Sequence, residues 1–190
     1  MDPVQILKDE HRVIERVLDA LDRYVDKSAT VLPSGEKAEL LLFVEFIQEF
    51  ADRCHHGKEE DILFAEMLKV GFPREAGPLG VMFHEHQQGR AFVSELKRLG
   101  EQKEPWTDAD REQLFRAASG YVTLLRQHIR KEDGVLYPMA EAQLPAEAMR
   151  SIGQRFQEFD RRQAGTGEHE RLHRLGEELT SRHVDSTASQ

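Results

Sequence analysis

The feature that most constrains this chain is a ten-residue pattern that occurs twice. The two segments read HHGKEEDILF at 55–64 and HIRKEDGVLY at 128–137. Each contains His, two variable residues, Lys, Glu and an acidic residue, and each ends in Leu and an aromatic residue. Residues four positions apart lie on the same face of a helix. The repeat therefore predicts two helices that each present a His–Glu pair in one direction.

A second match lies upstream of each copy. Glu10-His11 precedes the first copy and Glu85-His86 precedes the second, at nearly the same separation. A duplicated helical hairpin explains both matches, and two such hairpins packed face to face would have pseudo-twofold symmetry. This organisation predicts an all-α protein built on an up-down four-helix bundle.

Proline and glycine mark the predicted ends of the bundle helices. Asp2 and Thr107 are the predicted N-caps of the first and fourth helices, and the second helix is predicted over about 37–68. Pro138 is expected to kink or close the fourth helix. The predicted breaks between these helices lie at 32–35, 71–78 and 100–106.

The chain is predicted to divide into a bundle and a tail. The bundle is predicted to cover 1–143, and a C-terminal helical extension 144–184 follows with a joint near 165–167. The apolar positions of this extension predict that it packs on the bundle or on another subunit. Residues 185–190 are expected to be a frayed end.

Six polar residues fall within the apolar stripes of the predicted helices. Unpaired charges in a bundle interior cost several kcal/mol each, and a pair of divalent metal ions would remove that cost. Imidazole and carboxylate ligands without thiolate suit iron, manganese or zinc, and two carboxylates in a bundle core favour a di-iron or mixed iron–manganese site. A helical adaptor with incidental histidines is the alternative. The predicted metal ligands are His11, His55, Glu59, His86, His128 and Glu132.

Further histidines and one tyrosine have weaker signals. His56 and His84 fall on the wrong helical faces and are expected to lie behind the ligands or on the surface, although either could supply a fifth histidine. His169 and His173 are expected to form a surface pair, with a second metal site or a lid over the bundle as alternatives. Tyr121 is expected to be a core aromatic residue, or else to line a ligand pocket.

Composition excludes several classes of function. The formal net charge of -9 and the scattered arginines argue against a nucleic-acid partner. No apolar run approaches the roughly 18 residues that span a bilayer, and the first residues lack a signal-peptide pattern. The single cysteine, Cys54, cannot form an internal disulfide and is expected to pack in the core. These observations predict a cytoplasmic protein.

The histidine and glutamate series resembles the hemerythrin family, also called the HHE cation-binding domain, over about residues 5–142. The resemblance implies a four-helix bundle whose two non-haem iron ions bind oxygen or a related small ligand. It also implies that the first two predicted histidines cap one iron, that the last two cap the other, and that both glutamates bridge them.

Two departures from the oxygen-carrying hemerythrins shape the expected function. Met82 occupies the place of their additional third-helix histidine, and Glu132 matches Glu59 better as a bridge than Asp133 does. Four histidines leave more open metal positions, which favours reaction over reversible carriage. The pattern is more similar to bacterial hemerythrin-like proteins linked to nitrosative and oxidative stress. Some of these repair iron–sulfur clusters and carry an additional N-terminal domain that is not expected in this chain.

Three functions are therefore expected from the resemblance. The first is binding of oxygen, nitric oxide or peroxide in a stress response. The second is a redox enzyme that reduces nitric oxide or decomposes peroxide, with a redox partner. The third is an iron donor for cluster repair.

Overall fold

Helices dominate the computed structural model, which describes residues 2–28, 36–164 and 167–184. Within those ranges there is no β-strand, so the predicted all-α class is confirmed. The predicted break at 32–35, most of the predicted joint near 165–167 and the predicted frayed end at 185–190 lie outside the described residues. In chain order the helices are α1 Pro3–Ser28, α2 Glu36–Phe46, π1 Ile47–His56, π2 Glu59–Leu63, α3 Phe64–Lys69, α4 Gly77–Glu101, α5 Asp108–Lys131, π3 Glu132–Leu136, α6 Tyr137–Gln143, α7 Ala146–Ala164 and α8 Glu168–Arg182.

Both predicted N-caps are confirmed. The Asp2 carboxylate accepts a hydrogen bond of 3.0 Å from the backbone N–H of Val4. The Thr107 hydroxyl accepts one of 3.2 Å from the backbone N–H of Asp110, whose carboxylate accepts one of 2.8 Å from the Thr107 N–H. This reciprocal pair satisfies two donors that the first turn of a helix leaves free.

The second bundle helix runs through α2, π1, π2 and α3 without an intervening turn, close to the predicted 37–68. It ends where Gly71 adopts a φ of 100°, which a residue with a Cβ rarely does. The N–H of Gly71 donates to the carbonyl of Leu68, and the N–H of Phe72 donates to that of Met67. This pair of bonds is a Schellman motif, which satisfies the last carbonyls of the helix.

Pro138 was predicted to kink or close the fourth bundle helix; the closing is wrong, because α6 continues to Gln143, and the kink stays a prediction. The segment π3 lies directly before α6, and the N–H of Tyr137 donates to the carbonyl of Glu132 five residues back. Proline has no N–H to donate, and it is tolerated at the start of an α-helix, where an N–H lacks a partner in any case. The π turn therefore resets the bonding pattern so that Pro138 falls at such a start.

Two hydrophobic clusters lie on either side of a polar layer. Along α1, Leu7 belongs to one cluster and Ile14 to the other, with His11 between them. Along α4, Met82 and Val93 are divided in the same way on either side of His86. The polar layer therefore crosses the bundle at the level of the predicted ligands.

The tail helices complete both clusters. Ile152 and Phe156 of α7 are fully buried in the cluster that contains Leu7, and Leu172 and Leu179 of α8 are fully buried in the other. The extension therefore packs on its own bundle, the first of the two predicted alternatives. No helix in the described ranges is long and apolar enough to cross a membrane.

Candidate metal centre

The structure brings all six predicted ligands into the polar layer. Each of these residues has at most 1% of its surface exposed. Their side chains come from the four bundle helices: His11 from α1, His55 from π1, Glu59 from π2, His86 from α4, His128 from α5 and Glu132 from π3.

Three groups of side chains in the described residues could hold a metal ion: one is Glu10, Asp160 and His169, and the other two lie at the predicted ligands and share Glu59. Within each group the ligand atoms lie within 4.8 Å of one another. The imidazole rings of the two groups are arranged alike: His11 and His55 have centroids 4.6 Å apart, and His86 and His128 have centroids 4.7 Å apart. One group contains His11, His55, Glu59 and Glu132, and the other contains His56, Glu59, His86 and His128.

Each glutamate lies between the two groups. Oε2 of Glu59 is 3.8 Å from Nε2 of His55 and 3.5 Å from Nε2 of His86. The two oxygens of Glu132 lie 3.3 Å from Nε2 of His11 and 3.2 Å from Nε2 of His128. Each carboxylate thus faces one histidine of each group, as a carboxylate that bridges two cations does.

A carboxylate lies behind each of these four histidines, at Nδ1. Because a carboxylate accepts hydrogen bonds, Nδ1 carries the proton and Nε2 presents a lone pair towards the centre of the layer. Sequence reasoning assigned no role to three of these carboxylates, and it considered Asp133 only as a bridge. The pairs are His11 with Asp133 at 2.8 Å, His55 with Glu10 at 2.9 Å, His86 with Glu60 at 2.7 Å and His128 with Glu85 at 3.0 Å.

The repeated lysines hold two of these carboxylates. Lys58 donates to Glu10, and its counterpart Lys131 donates to Glu85. Lys58 also donates to Asp160 of α7 at 3.0 Å, which connects the tail to the polar layer. The sequence contained two signals for the carboxylates behind the histidines. One was the lysine and the second acidic residue of each repeat copy, and the other was the glutamate directly before His11 and before His86.

The polar layer is electrostatically incomplete without a cation. Nε2 of His86 lies 3.1 Å from Nε2 of His128, so two lone pairs would face each other if both rings were neutral. Burial alone would lower the pKa of His128, but the carboxylates of Glu132 and Glu85 raise it to about 9. Burial and the charge of Glu132 raise the pKa of Glu59 well above its usual value. The metal-free layer therefore favours bound protons where metal ions would place positive charge.

Several buried ligand atoms have no hydrogen-bond partner within the described part of the chain. They are Nε2 of His55, Oε2 of Glu59 and both carboxylate oxygens of Glu132. While the facing Nε2 atoms carry no proton, these atoms stay unpaired at a cost in free energy, and metal ions coordinated by the same atoms would offset it. The donor set therefore fits a pair of cations.

Tyr137 breaks the symmetry of the layer. Its hydroxyl donates a hydrogen bond of 2.7 Å to Oε1 of Glu59 and lies 3.3 Å from Nε2 of His11. The corresponding residue of the first repeat is Phe64, which has no hydroxyl. Sequence reasoning missed Tyr137, although this difference between the last residues of the two repeats was visible.

Replacing Tyr137 by phenylalanine is expected to destabilise the metal-free protein by about 1–3 kcal/mol, because Oε1 of Glu59 loses a buried donor. It should also weaken metal binding, since Glu59 is no longer held in place. Urea unfolding of chelator-treated protein and metal titration measure the two effects. Tyr24→Phe removes a hydroxyl that donates to the Glu36 carbonyl at 2.8 Å, away from the layer, and is the control. If both variants bind metal with the same affinity, Tyr137 does not contribute to the metal site.

The other candidate histidines lie in three different environments. His84 is exposed, which agrees with the predicted surface placement. His56 is buried in the polar layer, so its placement on a wrong face is corrected. His169 and His173 have ring centroids 4.7 Å apart and pack on Phe50, where they form part of the contact between α8 and the bundle.

Tyr121, Cys54 and Met82 are all buried. Tyr121 lines a small cavity next to His56 and His86, so it is both a core residue and part of a pocket. Cys54 packs in the core as predicted, and burial raises the pKa of its thiol to about 11. Met82 belongs to the apolar cluster that contains Leu7.

The fold and the polar layer define a helical-bundle protein with a buried histidine–glutamate cluster that could hold cations. The family model of the hemerythrin HHE cation binding domain matches residues 2–140, and the chain belongs to this family. The resemblance inferred from the ligand series is thereby confirmed.

The chain is also similar to proteins named iron-sulfur cluster repair protein YtfE. It is 34% identical over 145 residues to that of Musicola paradisiaca (strain Ech703), which covers 72% of this chain and 62% of the relative. It is 34% identical over 91 residues to that of Salmonella paratyphi B (strain ATCC BAA-1250 / SPB7), which covers 46% of this chain and 41% of the relative. The matches thus span less than two thirds of the length of these curated relatives.

Proposed function

We propose that this chain binds two non-haem iron ions in the polar layer. In this proposal His11 and His55 hold one ion, His86 and His128 hold the other, and both glutamates bridge them. The observation that carries the proposal is the position of the two carboxylates. Each faces a histidine of either group, and three of their four oxygens lack a hydrogen-bond partner within the described residues.

The names of the relatives and the redox chemistry of the proposed role favour iron over manganese and zinc. Nitrogen and oxygen donors without thiolate accept all three metals, so the donor set alone does not select one. The relatives are named for the repair of iron–sulfur clusters, whose metal is iron. A bound iron pair would supply redox chemistry towards small oxidising molecules, which zinc cannot supply.

The surrounding residues have tasks that do not depend on the identity of the metal. The carboxylates behind the histidines hold the Nδ1 protons and orient each ring. Tyr137 directs its hydroxyl proton to Glu59 and leaves the other oxygen of that carboxylate free. The six proposed ligands are at most 1% exposed, and burial strengthens electrostatic interactions at the centre.

We infer that the centre acts in iron–sulfur cluster repair, with iron itself as the cargo delivered to a damaged protein. The names of the relatives support this role, and the donor set supports it chemically. Six protein side chains shared between two ions leave coordination positions for an incoming acceptor. A cytoplasmic location belongs to the proposal, because ferrous iron and the free thiol of Cys54 both persist in a reducing compartment.

A second candidate is the binding of oxygen, nitric oxide or peroxide in a stress response. It is favoured by the cavity of about 50 Å³ that touches His56 and His86. Its walls include Ile47, Val93 and Tyr121, and a space of this size suits a molecule of two or three atoms. Turnover of such a ligand would make the protein an enzyme, whereas stoichiometric binding would make it a carrier or scavenger.

Metal analysis of protein purified in air tests the centre first. We expect about two iron ions per chain, with visible absorption from a ferric pair in the same sample. Little or no metal after anaerobic loading with ferrous iron would overturn the proposal.

An iron-transfer experiment then distinguishes cluster repair from the binding of small ligands. Iron-loaded protein is mixed with an apo iron–sulfur protein, a sulfide source and a thiol reductant, and cluster formation is followed by absorbance. We expect the acceptor to gain clusters as this protein loses iron. Retention of all the iron, together with a spectral change on adding nitric oxide or peroxide, would favour the second candidate instead.

A further inference from the structure

His56 lies in the polar layer without a counterpart in the second half of the molecule. It ends π1 directly after His55, and only 5% of its surface is exposed. The corresponding residue of the second repeat is Ile129, which packs in an apolar cluster. A buried histidine in one half and an aliphatic residue in the other make the two metal positions chemically different.

The ring of His56 approaches one group of ligands. One of its nitrogens lies within 4.8 Å of the ligand atoms of Glu59, His86 and His128. Its ring stacks on that of His86, with centroids 3.9 Å apart and planes inclined by 19°, and its centroid is 5.7 Å from that of His128. His56 therefore adjoins the group that contains His86 and His128.

The outer side of His56 is organised like that of the other four histidines. Its Nδ1 lies 3.3 Å from the carboxylate of Asp52, as each of theirs lies near a carboxylate. Arg90 donates to Asp52 at 2.8 and 3.1 Å and to Glu60 at 2.8 Å. Glu60 is the carboxylate behind His86, so one guanidinium joins the partners of both stacked rings.

This arrangement sets the direction of the second ring nitrogen. Nδ1 of His56 lies near Asp52 and Nδ1 of His86 lies near Glu60, so Nε2 of each ring lies on the side away from these linked carboxylates. The carboxylate of Asp52 next to Nδ1 favours a ring proton on that nitrogen. A neutral ring with its proton on Nδ1 presents a lone pair at Nε2, the form in which imidazole binds metals.

We infer that His56 is a third imidazole ligand of the metal ion that His86 and His128 hold. The inference rests on the proposed function, because it requires that the layer binds metal. The ion held by His11 and His55 has the hydroxyl of Tyr137 near its ligands instead. The two ions therefore bind with different affinities, and the ion at His11 and His55 is the first to be released.

Anaerobic titration with Co²⁺, followed by visible absorption and calorimetry, tests this assignment. The parent protein is expected to bind two ions in two resolved steps. His56→Ala should weaken the tighter step by at least about tenfold and change the cobalt spectrum of that step, while the other step stays within about threefold. Ile129→Ala, the equivalent truncation in the other half, controls for lost packing and should leave both steps within about threefold.

The outcomes distinguish this inference from the proposed function. A parent that binds two ions, with a His56→Ala variant of unchanged affinities and spectrum, would overturn the role of His56 and leave the metal centre standing. A parent that binds no Co²⁺ would overturn both. If His56→Ala does not fold, His56→Gln is titrated in its place, because its amide can still donate to Asp52 but ligates poorly. The same loss in the tighter step is expected, and its absence would count against the inference.

Discussion

Replacing Glu132 by alanine is expected to lower the retained metal from about two ions per chain to less than one. Its two oxygens face His11 and His128, one from each group, so one substitution removes a bond to both ions. Metal at a hundredfold excess over its dissociation constant stabilises a folded protein by about 2.7 kcal/mol. In a chain of this size that corresponds to a rise in Tm of about 5–11 °C for each bound ion, and the variant should lose most of the combined rise.

The measurement is the metal-induced increment in Tm rather than Tm itself. Glu132 also stabilises the metal-free protein, since burial would raise its pKa but His128 and His11 hold it well below the usual value. The substitution therefore lowers Tm with or without metal, and only the increment reports on binding. Glu141→Ala, on the exposed side of α6, is the matched control and should keep the full increment. If the metal-induced increment in Tm is as large in Glu132→Ala as in the parent protein, Glu132 is not a metal ligand.

Replacing Lys58 by methionine is expected to destabilise the protein by about 3–5 kcal/mol, the usual result of removing one partner from a buried ion pair. The side chain of Lys58 is 0% exposed and contacts the carboxylates of Glu10 and Asp160. Burial alone would lower its pKa, but those carboxylates raise it, so the ammonium stays charged. Methionine fills similar space and leaves Glu10 buried without its cation. Urea unfolding of the metal-free protein measures the loss.

The internal repeat supplies the control for this experiment. Lys131 occupies the same repeat position and contacts Glu85, but its side chain is 39% exposed. Lys131→Met is therefore expected to cost less than about 1 kcal/mol. Equal losses in the two variants would show that burial of Lys58 is not the cause. Because Glu10 orients His55, Lys58→Met should also lower metal affinity more than Lys131→Met does.

Asp160 gives the tail a part in the same network. This residue of α7 contacts Lys58, which contacts Glu10, which in turn contacts His55. The C-terminal extension thus has a polar connection to the candidate centre as well as an apolar one through Phe156. Amphipathic spacing indicated the apolar contact, but it contained no information about which lysine Asp160 would meet.

Four of the six predicted ligands could be found from local spacing, and His11 and His86 could be found from the match upstream of each repeat copy. A histidine and a glutamate four residues apart share a helix face whatever surrounds them, and the repeat shows that this happens twice. The N-caps at Asp2 and Thr107 were accessible for the same reason, since each depends on residues within one turn. The structure places these ligands together, and their coordination of metal remains the proposal that titration tests.

His56 shows where local spacing fails. Adjacent residues of an α-helix point about a hundred degrees apart, which put His56 outside the expected site. The segment π1 has wider turns than an α-helix, so faces counted at α-helical spacing shift along it, and Cys54, His55 and His56 are all buried. The repeat does not indicate a π-helix at His56, since its second copy has Ile129 at the corresponding position.

The sequence by itself determined the helical class, the duplicated His–Glu pairs and the N-caps at Asp2 and Thr107, because these depend on residues a few positions apart. Only the tertiary structure decided that Asp133 holds His11, that Tyr137 meets Glu59 and that α7 reaches Lys58. Those partners lie 122, 78 and 102 positions apart in the chain. Contacts at such separations arise from how whole helices pack, which no periodicity within one helix encodes.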